Sequence, residues 1–215
     1  MILDLTAIDE DDGEQWDLSK PEKIQKAIDM VKNKQAVLIV CNPMTNLIKQ
    51  CNNMEDLEDP KAIESMKRHV ETCAQLCKIQ HEQGLYFVYE HMWQAESWKH
   101  PAIKGLMEAE PVQCIKGDEC TYELNEAEIK AKVGIMSNAP MIIDSMRYRK
   151  HDKDRKMAMN EGIIKQRQAG GDKMKMAIIK GTIEQMKVDG RINDKEIGCA
   201  CPMDVSEVEI MEEYW

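Results

Sequence analysis

Phenylalanine occurs once in these 215 residues, and all aromatic side chains together make up 5% of them. A core that cannot draw on Phe must be filled otherwise, and 17 methionines supply unbranched, adaptable side chains for it. No stretch approaches the ~20 consecutive apolar residues of a membrane span, and Met1-Ile2-Leu3-Asp4 opens no secretory signal. The chain is therefore expected to be cytoplasmic or nuclear, not secreted, with no membrane partner and with its eight cysteines reduced. There is no internal repeat. The paired C-x-x-C spacing of zinc modules is also missing: Cys114 and Cys120 are six apart, Cys199 and Cys201 two.

A net positive charge is lacking as well. At −10 the chain is a poor non-specific binder of nucleic acid, whose affinity rests on net cationic contacts to phosphate. The charge is uneven. Asp9-Glu10-Asp11-Asp12 is the densest acidic run, residues 141–191 carry 13 Lys/Arg against 7 acids, and the last 24 residues are acidic again. The basic stretch reads first as a solvated face or loop, and second as a nucleic-acid footprint through residues 147–191.

What is present is an alternation of strand and helix. Met1–Leu5 reads as a short strand. A helix follows over about Lys20–Lys34, with Ser19 and Glu22 as a capping box, Pro21 in the first turn, and Ile24, Ala27, Ile28 and Val31 on one face. Ala36–Cys41 is a continuous apolar run, expected as a central strand covered on both faces. A long loop over Asn42–Asp59 leads to a helix with Asp59 as N-cap, Pro60 at its first position and Gly84 at its end. Leu85–His91 is the next strand, followed by a short helix over Pro101–Ala109 and a strand over Val112–Lys116. Further on the signal thins to a strand at Val133–Ser137 and a short helix over Pro140–Arg149. The pattern predicts an α/β domain over 1–148 with a mainly parallel sheet. A charged loop is expected over 149–171, a C-terminal helix over 172–190 packed through Met176, Ile179, Ile183 and Met186, and an acidic tail over 191–215.

In open α/β sheets ligands bind beyond the carboxyl ends of the strands. Two such ends carry candidate chemistry: the Cys41-Asn42-Pro43-Met44-Thr45 loop, and Glu90-His91 at the end of the next strand. Glu90 is expected near the Asn42–Thr45 loop, where a carboxyl group can hydrogen-bond an amino-substituted heterocycle or move a proton. Cys41 reads as a structural thiol, since nothing near it in sequence is basic enough to lower its pKa. His69, Cys73, Cys77 and His81 are spaced four apart on the long helix, and one straight helix cannot bring four such groups round one ion. Buried thiols are expected there, and no metal site is predicted. Asp4 and Asp17 stand where α/β nucleotide sites place a carboxylate for ribose or adenine, although no glycine-rich turn precedes them.

These residues together resemble the methyltransferase-like domain of copia-type retroelement polyproteins, notably those of dinoflagellate algae. The resemblance rests on Leu3-Asp4-Leu5 with Asp11-Asp12-Gly13 and Trp16-Asp17-Leu18-Ser19. It continues through His69, Cys73, Leu76, Gln80 and Gly84–His91 with Ala95-Glu96-Ser97-Trp98. Ser137-Asn138-Ala139-Pro140 and Ala177–Gly181 with Gln185 and Asp189-Gly190 complete it, in order, up to about Asp194. It implies a three-layer, Rossmann-like methyltransferase core, incomplete at its N-terminus, with a helical C-terminal extension. It also implies S-adenosylmethionine as cofactor, with Asp4 and Asp17 toward it. Asn42 and Glu90 would be catalytic, and Thr45 and His91 would contact substrate. The family is similar to cytosine-5 methyltransferases, whose nucleophilic Cys falls here on Met44; the Pro after Glu-His is Met92. The expectation is a truncated, catalytically degenerate copy. Two alternatives remain open: an active amino methyltransferase using Asn42-Pro43, and a non-catalytic module that binds nucleic acid or protein.

Overall fold

The computed structural model describes residues 8–14, 16–18, 20–34, 36–43, 60–116, 123–126, 129–147 and 170–193. The first helix, α1, spans Pro21–Lys34 and buries Ala27, Ile28 and Val31, the stripe that its sequence spacing predicts. Strand β1 is Leu38–Cys41, and α2 covers Pro60–Glu82 and ends at Gly84, whose φ of 67° favours glycine. Strand β2, Tyr86–Met92, is followed by a 3₁₀ turn at Glu96–Lys99 and by α3, Pro101–Met107. Then come β3 (Gln113–Ile115), β4 (Glu123–Glu126), β5 (Ile129–Ser137), α4 (Pro140–Met146) and α5 (Gly170–Val188). The expected first strand, the Ser19 and Asp59 caps, the loop over 149–169 and the tail from 194 lie outside the described residues. Among the described residues no helix is long and apolar enough to cross a membrane.

The sheet is mixed. Its order is β1-β2-β5-β3, with β4 paired to β5. Only β1 and β2 pair in parallel; β5 is antiparallel to β2, β3 and β4. The expectation of a mainly parallel sheet is thus corrected. β1, β2 and β3 do point the same way, but β5 enters reversed between β2 and β3. The sequence under-read β5 because Lys130 and Lys132 interrupt its apolar residues, although Ile129, Ala131, Val133 and Ile135 keep the two-residue period of a strand.

Alternation along β2 divides the interior into two layers. Phe87 and Tyr89 pack with Cys41, Met136 and residues of α1, α2 and α3. Tyr86 and Val88 face the other way, with Ile115, Val133, Ile135, α4 and α5. The domain is therefore three-layered α/β/α. β1 departs from its expected central place: it ends the described sheet, and Val40 is 50% exposed.

The C-terminal helix packs on the core, and of the predicted residues Met186 joins that contact while Ile183 is half-buried; the rest of the buried face differs. Met174, Ala177, Ile178, Thr182 and Gln185 are buried, whereas Met176 and Ile179 are exposed. The reason is a close crossing with α4. A Cβ on Gly181 would stand 2.6 Å from the Ile142 Cα, so small and hydrogen-bonding residues take the buried face. Gln185 Oε1 accepts the Met141 N–H at 3.1 Å, and the Ser145 hydroxyl lies 3.0 Å from the Ala177 carbonyl.

Candidate functional site

The parallel register pairs Cys41 with Tyr89, so the next residues, Asn42 and Glu90, stand level at adjacent strand ends. Asn42 is exposed, and Glu90 is only 4% exposed. Glu90 lies on the face that carries Tyr86 and Val88, where Oε1 has no hydrogen-bond partner among the described residues. Removal from water disfavours the carboxylate and pushes its pKa up to about 7. A carboxyl group tuned this way can donate a hydrogen bond when protonated and accept a proton when ionised, at near-neutral pH.

His91 points to the opposite face. Its ring is 6% exposed, its Nδ1 lies 2.5 Å from the Ser97 hydroxyl, and its Nε2 has no partner among the described residues. Burial, with the neighbouring His69, pulls its pKa down to about 4 and keeps the imidazole neutral. The 3₁₀ turn is folded back by the Trp98 indole, which donates to the Met92 carbonyl at 2.9 Å and stacks edge-on against Tyr89. A Cβ on Gly134 would collide with Trp98 and Trp93, so glycine is required where this turn crosses β5.

Cys41 meets Cys73 and Cys77 of α2 in the core, and all three thiols are free and buried. The contact adds two thiols beside Cys41 that its neighbours in sequence do not reveal. Hydrogen bonds from Cys73 and then Cys77 hold the Cys41 pKa well below its usual range, with a smaller contribution from His69, while burial and Cys41 itself push both partners up. No group of three His, Cys, Asp or Glu side chains is placed to hold a metal ion among the described residues.

The other predicted site residues do not join this cluster. Asp4, Met44 and Thr45 lie outside the described residues. Asp17 is half-buried ahead of α1, where its carbonyl accepts the Lys20 N–H at 3.0 Å. It lines neither the groove along α1 nor the cleft beside His91. Of the two carboxylates expected toward S-adenosylmethionine, Asp17 alone is among the described residues. Several residues that carry the resemblance serve the scaffold instead. Asn138 Oδ1 accepts the Phe87 N–H at 2.9 Å and its amide donates to Leu85, while the Ser137 hydroxyl donates to the Phe87 carbonyl at 2.6 Å. Asp189 accepts from the Tyr86 hydroxyl at 2.6 Å, and Arg191, counted in the basic segment, stacks on the Tyr86 ring and donates to the Gly84 carbonyl.

Sequence reasoning missed Ser97, whose link to His91 depends on the tight turn between them, and the meeting of Cys41 with α2. Comparison with family models, curated proteins and solved structures finds no match to this chain.

Proposed function

We propose that the chain is a methyltransferase-like domain of the retroelement kind, without cytosine-5 activity, that keeps a recognition site for an amino-substituted heterocycle at the ends of β1 and β2. The observation that carries this reading is Glu90: buried, unpartnered at Oε1 among the described residues, and level with Asn42 at the neighbouring strand end. In its protonated form Glu90 would donate to a ring nitrogen while its carbonyl oxygen accepts from an exocyclic amine. The Asn42 amide would bind the same amine from the exposed side. Met44, whose thioether has no S–H to ionise to a thiolate, supports the absence of covalent attack on the ring. A sheet whose strands share one direction except for a single late, reversed strand is compatible with such a core.

Isothermal titration with 2′-deoxycytidine tests the reading. Binding is expected below pH 7 and weakens as Glu90 ionises; Glu90→Gln, which keeps one donor and one acceptor, should bind like the protonated form without the pH dependence, and Glu90→Leu about tenfold more weakly. No binding at millimolar nucleoside, or affinity indifferent to both pH and Glu90→Leu, would overturn it. Methyl transfer from S-adenosylmethionine that survives Cys41→Ala but not Asn42→Ala would replace it with the amino-methyltransferase alternative.

A further inference from the structure

Between the first half of α2 and the 3₁₀ turn lies a cleft of about 550 Å³, within the size range of small-molecule sites. Ile63, Met66, Val70, Met92 and Ala95 form its apolar walls, and His91 with Ser97 supplies buried polar groups. We propose that this cleft binds a neutral, planar aromatic heterocycle carrying a ring-nitrogen or carbonyl acceptor, sandwiched by the methionines and hydrogen-bonded by His91. It lies on the opposite face of β2 from Glu90, so the proposal does not rest on the reading given above.

Three features select this ligand class. A neutral imidazole has one donor and one acceptor nitrogen. We assign the Ser97 hydroxyl as the donor to Nδ1, which places the proton on Nε2, a buried group without a partner among the described residues. The cations at the rim stand in water: Lys67 and Lys99 are exposed, and Lys99 pairs with Glu96 at 2.7 Å, so an ionic ligand gains little. Thioether sulfurs make favourable contacts with aromatic rings, and unbranched Met66 and Met92 can swing aside at low cost to let a ring reach Nε2, which is covered in the empty cleft.

Quinoline and its all-carbon isostere naphthalene are the probes, followed by NMR of the full chain with ¹⁵N-labelled histidine. The expected result is an Nε2–H tautomer for His91 in the free protein and a shift of its Nε2 resonance with quinoline but not with naphthalene. The quinoline-to-naphthalene affinity ratio should fall about tenfold in His91→Phe, a comparison in which the different hydrophobicities of the probes cancel. Should that variant fail to fold, Ser97→Ala should mix the two tautomers and lower the ratio about threefold. An unchanged ratio in the variants, an Nδ1–H tautomer, or no perturbation of His91 by millimolar quinoline would overturn the proposal.

Discussion

Two regions of this domain bury charged or titratable side chains, and they treat them in opposite ways. Where the segment ahead of α1 meets that helix, Asp9 and Lys23 are 3% and 2% exposed, yet each is fully engaged. The Lys23 ammonium donates to Asp9 at 2.7 Å and to Asp12 at 2.6 Å, while Lys26 reaches Asp9 and Asp11, each at 2.6 Å. Trp16 lies beneath both lysines, their Nζ atoms 5.2 and 5.4 Å from its ring centre. At the end of β2, by contrast, Glu90 Oε1 and His91 Nε2 are buried without partners among the described residues. A buried polar group normally keeps its hydrogen bonds, because leaving one unmade costs about 1–3 kcal/mol. The first region behaves as a structural knot. The second carries an energetic cost that a bound ligand would relieve, and this is why the site is placed there.

The contrast can be broken most severely at Lys23. Lys23→Met leaves Asp9 and Asp12 without their shared cation, and thermal unfolding should show the largest fall in Tm of any substitution named here. Lys26→Met should cost less, since Lys26 is partly exposed. If both variants melt like the parent, the knot is only a surface network.

The pH dependence of stability separates the regions further. The Glu90 pKa is raised in the fold, so the folded state holds the proton more tightly, and stability is lost as pH rises from about 4.5 through about 7. That shift corresponds to about 3 kcal/mol over the interval, and Glu90→Gln should abolish it in urea-melt profiles. His91 acts in the opposite sense. Its folded pKa is depressed to about 4, so stability rises from pH 4 to about 6.5, and His91→Phe should remove that rise. In the parent the two slopes largely cancel, and each becomes visible only when the other residue is replaced. A parent-like profile in both variants would contradict the site.

The smallest predicted effect lies at the acid end. The Lys23 and then Lys26 contacts hold Asp9 down to about 2, so its contribution is complete above about 4 and is lost as pH falls through about 2. Asp9→Asn should flatten that acid limb alone.

Much of this arrangement was legible in the residues, and the rest failed for physical reasons. Gly84 and Gly190, both with φ of 67°, mark helix ends that local conformational preference alone predicts. The strand ends holding Asn42 and Glu90 follow from apolar runs that stop at polar residues. The last part of β5, Val133–Ser137, was legible; its first part escaped because its lysines mask a strict alternation, and its reversal because pairing direction is a property of distant partners. The acidic run at Asp9–Asp12 was legible as charge but not as a buried knot. Its partners, Lys23 and Lys26, lie on α1, and the one local signal was a lysine beside Ile24 in the buried stripe. The α5 face was partly misread because hydrophobicity ranks Met176 and Ile179 above Gly181 and Gln185, whereas close approach to α4 decides which residues go inside. The Ser97–His91 link joins residues that only the fold brings together.

The account depends most on Glu90 being a buried carboxyl group that titrates near neutrality. A ¹³C NMR titration of the glutamate carboxyl resonances, with Glu90 assigned by its loss in Glu90→Gln, measures this directly. A midpoint near 7 is predicted. A midpoint near the ordinary 4.5 would mean that Glu90 is solvated or paired, and the strand end would then be no different from the knot at Asp9.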